Sequence, residues 1–79
     1  MTMNKSHDVV ATYDVMREAA VRLMAEYAQR VTVGGSDDEA LAAMRAVRAR
    51  ARAVDTHSIP AQLEATADFR AERDQLRLE

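Results

Sequence analysis

The most regular feature of the chain is a stripe of apolar residues in its first third. These residues recur at alternating steps of four and three, which is the spacing of one face of an α-helix. Charged residues mostly occupy the positions between them. The pattern predicts a helix from about residue 7 to about residue 30. Ser6 or Asp8 would cap its start. The stripe consists of Val9, Tyr13, Met16, Ala20, Leu23 and Tyr27.

A break and a second helix follow this stripe. The β-branched run "VTV" and two glycines, residues 31–35, disfavour helix and allow a turn. The next four residues, "SDDE", form a capping box in which Ser36 accepts an exposed backbone amide and Glu39 reaches back to the cap. A second helix is therefore predicted over about 37–54. Its apolar face would contain Ala40, Met44, Val47, Ala51 and Val54.

The last part of the chain predicts a third helix with a less regular pattern. Pro60 cannot continue the second helix but is tolerated in the first turn of a new one, with Ser58 as its cap. This helix is predicted over about 59–77. Its apolar residues form two short stripes on different sides, the first with Ile59, Leu63 and Ala67, the second with Phe69 and Leu76.

These elements predict an all-α protein, with one small domain over residues 1–79. We expect either a three-helix bundle or a helical hairpin with a third, partly extended C-terminal helix. The core is thin, because 16 of the 38 apolar residues are alanine, and a chain this short buries only about 60% of its unfolded surface. There are no cysteines to form disulfides. A partner subunit, identical or different, would supply the missing burial.

The C-terminal segment "TADFRAERDQLRLE" contains the only phenylalanine of the chain among many charged residues. One interpretation is that Phe69 and Leu76 are anchors that enter a groove on a partner, so that the second half of the third helix orders only on binding. The other interpretation is that Phe69 closes the end of the same bundle. The sequence leaves both open.

Arginines are concentrated in the second predicted helix. Arg45, Arg48 and Arg52 fall on one helical face, which could contact nucleic-acid phosphates or an acidic protein surface. The alternative is a solvated face that forms salt bridges with Glu18 and Glu26 of the first helix. Aromatic stacking groups are absent nearby, which argues against single-stranded nucleic acid.

The sequence contains no convincing catalytic or cofactor-binding motif. The two histidines, His7 and His57, lie in turn-like segments without metal-ligand spacing. The stretch "VGGSDDE" resembles a phosphate loop only in its glycines, since three acidic residues open the helix and the lysine is missing. We therefore expect a protein that is not an enzyme and binds no cofactor or metal.

The expected function is the binding of another protein. The size, the helical architecture, the thin core and the charged C-terminal segment resemble the antitoxin half of a bacterial toxin–antitoxin pair. That resemblance implies an inhibitor that docks on a toxin enzyme. The predicted partner-binding residues are Phe69, Arg70, Arg73, Leu76, Arg45, Arg48 and Arg52.

Two other functions remain open. The chain could be a small dimeric nucleic-acid-binding regulator that uses the arginines of the second helix, although its net charge of −2 counts against this. It could also be a structural homo-oligomer that pairs through Tyr13, Ala20 and Tyr27 of the first helix. Ten arginines against one lysine suggest a bacterial source, and the lack of an 18-residue apolar run or signal peptide suggests the cytoplasm.

Overall fold

The fold consists of three α-helices joined in sequence. A computed structural model describes the backbone of residues 5–32 and 37–79, and the side chains of 11–30 and 38–79. The helices are α1 (Lys5–Thr32), α2 (Asp37–Ala53) and α3 (Ile59–Leu78), and no strand occurs in these described segments. The all-α prediction is confirmed, and the arrangement is the three-helix bundle. Each helix begins and ends within two residues of its predicted bounds.

The start of α1 differs from the prediction. The helix begins at Lys5, ahead of both residues that were expected to cap it, Ser6 and Asp8. It also continues through Thr32, because a β-branched residue in a last helical turn costs only a fraction of a kcal/mol, about 0.7 at most. The predicted turn after it and the capping serine, Ser36, fall within residues 33–36, outside the described part of the chain.

Helix α1 is the central element, since both α2 and α3 pack along it. The last turns of α1 and α3 meet, where Arg30 Nη2 donates a 2.7 Å hydrogen bond to the carbonyl oxygen of Leu76. A cation is favourable at this place because carbonyls at a helix C-terminus carry partial negative charge. Helix α3 therefore runs parallel to α1, and α2 runs antiparallel to both.

The predicted apolar faces of the first two helices form the core. Met16, Ala20 and Leu23 from α1 are almost completely buried, as is Val47 from α2. Around them pack partly buried side chains from the same two faces. The packing confirms the prediction for both helices within the described side chains. These partly buried residues include Tyr13, Tyr27, Ala51 and Val54.

Phe69 belongs to this core. Its side chain is only 1% exposed and is the largest of the fully buried side chains. Leu76, which was predicted as a second anchor for a partner, packs partly buried against the same cluster. The interpretation in which these two residues enter a groove on a partner is therefore wrong, because both pack against the core of their own chain. Phe69 instead closes the bundle, as the other interpretation predicted.

The buried face of α3 was not predicted because it contains polar residues. Gln62 and Thr66 are both buried, and they precede Phe69 at steps of four and three. The same spacing continues to Leu76, so the helix has one stripe rather than two. The side of α3 that was predicted as apolar points outward, and its Leu63 is 58% exposed.

Local hydrogen bonds satisfy part of these buried polar groups, although Gln62 Oε1 is buried without a hydrogen-bond partner among the described residues. Gln62 Nε2 donates to the carbonyl oxygen of Asp55 at 3.0 Å, and Thr66 Oγ1 donates to the carbonyl oxygen of Gln62 at 2.7 Å. Ser58 Oγ accepts from the amide of Ala61 at 3.2 Å, which confirms the predicted cap of α3. The tight turn between α2 and α3 is thus hydrogen-bonded to the first two turns of α3.

Truncation of Phe69 tests its place in the core. Phe69→Ala is expected to lower the free energy of unfolding by about 3–5 kcal/mol, because it removes a buried ring and leaves a cavity. Leu63→Ala, six residues earlier on the exposed side, is the matched control and should change it by only about 0.5 kcal/mol. Urea unfolding followed by helical circular dichroism measures both.

If Phe69→Ala is too unstable to measure, Phe69→Leu provides a milder variant that should still lose more stability than Leu63→Ala. Equal and small effects at the two positions would contradict the burial of Phe69.

Candidate functional site

The polar groups of the protein fall into two sets, one used within the fold and one left exposed. The first set is centred on Glu72, which receives one partner from each of the other helices. The Tyr27 hydroxyl of α1 donates to Glu72 Oε2 at 2.7 Å, and Arg50 Nη1 of α2 donates to Glu72 Oε1 at 3.0 Å. We call Tyr27, Arg50 and Glu72 the Glu72 junction. It joins all three helices beside the core.

The Glu72 junction covers the phenylalanine in the core. Arg50 Cζ lies 4.8 Å from the centre of the Phe69 ring, within the range of a cation–π interaction. Burial, followed by the hydrogen bond and the negative charge of Glu72, raises the pKa of Tyr27 to about 12. The Tyr27 hydroxyl therefore remains a protonated donor through the ordinary pH range.

Further ion pairs join α1 to α3. Glu26, whose side chain is 18% exposed, lies 3.8 Å from Arg73 Nε and 3.9 Å from Arg77 Nε. Arg73 was predicted to bind a partner, and the structure instead places it against α1. Glu18 pairs with Arg22 of its own helix at 3.6 Å. The two carboxylates that were expected to neutralise the arginines of α2 thus have other partners.

Part of the exposed set lies on α2. Arg45, Arg48 and Arg52 are all exposed, and none of them forms an ion pair with any residue that the structure describes. Arg50, between them in sequence, is the exception because it turns toward Glu72. The predicted arginine face therefore exists as three cations without compensating carboxylates among the described residues.

Two of these arginines border a groove between α1 and α2. The groove has a volume of about 420 Å³. Arg48 and Arg52 of α2 lie along one side of it. Arg17 of α1 lies along the other. No acidic residue is among its described lining residues. We call this feature the arginine groove.

Apolar side chains complete the arginine groove. Its α1 side includes Tyr13, Val21 and Met24, and two alanines, Ala20 and Ala51, keep its floor open. Val21 is 54% exposed, so more than half of its surface is open to a ligand. The groove thus combines an apolar surface with three guanidinium groups, each of which can donate paired hydrogen bonds to a carboxylate.

Of the residues that line the groove, Arg48 and Arg52 were among the predicted partner-binding residues, whereas Arg17 and Val21 were not. A signal for these two was present, because Arg17, Val21 and Met24 recur at steps of four and three beside the core stripe. The remaining predicted residue, Arg70, is exposed on α3 and does not line this groove. It faces a small cavity of about 40 Å³ between α1 and α3.

A second cavity of about 450 Å³ opens at the end of the bundle where α1 and α3 finish. Its charged groups are engaged within the chain: Arg30 binds the carbonyl oxygen of Leu76 and lies 3.3 Å from Glu79. This cavity therefore offers less free charge to a ligand than the arginine groove.

Neither histidine was predicted as a site residue. His57 Nδ1 lies 3.8 Å from Asp55 Oδ1 in the turn before α3, and the histidine side chain is 90% exposed. The side chain of His7 lies outside the described residues, although its backbone is in the first turn of α1 rather than in a turn segment. Within the described chain, no three His, Cys, Asp or Glu residues are grouped so that they could hold a metal ion.

The search for similar proteins adds no constraint to this site. No protein-family model, curated protein or solved structure matches the chain. None of the described helices has the length and apolar character that crossing a membrane requires. The arginine groove is consequently the feature from which a function is argued.

The Glu72 junction leads to a prediction about pH. In a Tyr13→Phe variant, Tyr27 is the only tyrosine, and its near-ultraviolet absorbance should titrate near pH 12 in the folded protein. Because its folded-state pKa is above the ordinary tyrosine value of 10.0, its contribution to stability is fully present below pH 10 and is lost as the pH rises toward 12.

The matched variants are Glu72→Gln and Glu64→Gln in the Tyr13→Phe background. Glu72→Gln removes the carboxylate that favours the neutral tyrosine, so the pKa of Tyr27 should fall. Glu64→Gln changes an exposed carboxylate elsewhere on α3 and should leave the titration unchanged. Identical titrations in all three proteins would show that Glu72 does not contact Tyr27.

Proposed function

We propose that this protein is a non-enzymatic regulator that binds another protein through the arginine groove and inhibits it, in the manner of an antitoxin acting on a toxin enzyme in the bacterial cytoplasm. The observation that carries the proposal is the groove itself, in which Arg17, Arg48 and Arg52 surround an apolar floor without a described carboxylate partner. Cations held in this way favour an occupant that is both acidic and apolar.

The composition of the groove favours a protein occupant over nucleic acid. Phosphate contacts would use only the polar groups of the groove, whereas an apolar partner surface would also cover the exposed Val21 and the parts of Tyr13 and Met24 that the core leaves exposed. The net charge of −2 also opposes a general attraction to nucleic acid. An acidic amphipathic segment of a partner would satisfy both parts of the groove.

The proposed inhibition is by coverage. A partner segment seated between α1 and α2 would bring the face of α2 with Arg45 over the neighbouring surface of the partner. If that surface contains an anionic or phosphate-binding pocket, an arginine can enter it and exclude the substrate. Phe69 plays no direct part in this binding, because it remains inside the bundle.

Charge reversal on three helical faces tests the proposal. The full chain is used to capture proteins from lysate of the source organism, beside Arg17→Glu, Arg45→Glu and Arg70→Glu variants. We expect one protein to be retained stoichiometrically by the parent chain and by Arg70→Glu, and to be lost with Arg17→Glu. The loss should be about tenfold or more in affinity, since a like charge would face the acidic partner. Inhibition of the purified partner's activity then tests the regulatory role.

The same variants distinguish the alternatives. Binding of nucleic acid by α2 would be lost with Arg45→Glu, retained with Arg17→Glu and abolished by nuclease treatment. A structural homo-oligomer would capture only further copies of the chain. Either result would overturn the proposed protein-binding function.

A further inference from the structure

The outer side of α3 carries a charge pattern opposite to that of the arginine groove. Glu64, Asp68 and Asp74 are all exposed, and none forms an ion pair with another described residue. Apolar side chains accompany them, with Leu63 58% and Leu78 82% exposed. We call this surface the acidic face of α3.

The acidic face and the arginine groove match in spacing. Glu64 and Asp68 are four residues apart on α3, as Arg48 and Arg52 are on α2. On a helix this places both members of each pair on one side, with about 5–6 Å between their Cβ atoms. Glu64 and Asp74 are ten positions apart, about 15 Å along the helix, which is close to the roughly 16.5 Å between Tyr13 and Met24 along the groove.

The two surfaces of one molecule cannot meet. The acidic face points away from α1, because the opposite side of α3 carries Phe69 into the core. The groove opens on the side of α1 that α2 occupies, whereas Glu26 and Arg30 mark the side that faces α3. The complementary partner for each surface is therefore on another molecule.

We propose that a second copy of this chain occupies the arginine groove, with its acidic face of α3 seated between α1 and α2 of the first. Glu64 and Asp68 pair with Arg48 and Arg52, and Leu63 lies against the apolar floor. Ala67 and Ala71, which are small and exposed on the same outer side of α3, permit close approach. The contact is head-to-tail, so each added copy leaves one groove and one acidic face free.

This assembly differs from the homodimer that the sequence suggested. Ala20, in the middle of the stripe expected to pair between copies, is 1% exposed under α2, and Tyr13 and Tyr27 are partly buried. That stripe is used to build the single chain. The proposed pairing surface is instead the outside of α3 and the groove, where exposed apolar side chains such as Leu63 and Val21 lie beside charged groups that form no ion pair within the described chain.

The experiment uses sedimentation velocity of the purified full chain over a range of concentrations. The mean mass should rise with concentration without stopping at a dimer, and the rise should weaken as salt increases. Two variants test the surfaces: a groove-reversed chain, Arg48→Glu with Arg52→Glu, and a face-reversed chain, Glu64→Lys with Asp68→Lys. Each alone should associate roughly 100-fold more weakly, because like charges now face each other.

An equimolar mixture of the two variants provides the decisive result. The reversed groove of one then faces the reversed helix of the other, and the unreversed surfaces also match, so association should return. The control is Arg22→Glu with Arg70→Glu, which makes the same charge change on exposed residues bordering the small cavity between α1 and α3 and should associate like the parent chain.

Several results would overturn the proposal. They are a parent chain that stays monomeric at millimolar concentration, variants that associate like the parent, and a mixture that fails to recover. Circular dichroism verifies that each variant is folded, and neutral Gln replacements at the same positions take the place of any that is not. The inference does not rest on the proposed function: the face-reversed chain should stop self-associating yet still capture an external partner, so the two proposals can fail separately.

Discussion

The structure depends on the burial of one side chain, Phe69, where the three helices meet. Among the side chains that the structure describes, the hydrophobic core contains seven buried residues, and three of them are alanines. Burial energy follows apolar area, so an aromatic ring contributes a large share of what so small a core can supply. The position of α3 follows from this constraint, because placing the ring between α1 and α2 fixes which side of α3 faces inward.

The Glu72 junction helps to fix the relative orientation of the helices, which apolar packing alone leaves less defined. Its ion pair with Arg50 is partly solvated, and such pairs contribute only about 0–1 kcal/mol. Its geometry is more informative than its energy, because one carboxylate accepts from Tyr27 of α1 and Arg50 of α2 at the same time. These two hydrogen bonds, together with the position of Arg50 over the Phe69 ring, constrain how the three helices are aligned. Packing of alanine-rich faces alone would allow neighbouring alignments, since small side chains interlock weakly.

The same reasoning explains what could be predicted from the sequence. The faces of α1 and α2 were predictable because their buried positions are apolar and repeat at helical spacing. The face of α3 was misread because Gln62 and Thr66 are polar, and their burial depends on hydrogen bonds to neighbouring backbone that a periodic pattern does not reveal. Within the site, Arg48 and Arg52 follow from one helix alone. The arrival of Arg17 beside them depends on the direction from which α2 packs on α1, which is a tertiary property.

The arrangement of charge links the fold to both proposals. The net charge of −2 is small, but Arg17, Arg48 and Arg52 line the groove between α1 and α2, while the outer side of α3 carries three acids that form no ion pair with another described residue, Glu64, Asp68 and Asp74. Such a division gives the molecule two surfaces that attract each other between copies, and it makes a second copy and an acidic partner rivals for one groove. Self-association falls with dilution by mass action, whereas a tighter partner retains its hold. A partner would therefore displace the second copy most readily at low concentration of this chain. As the partner binds free grooves, the equilibrium would shift so that assembled copies dissociate and expose further grooves.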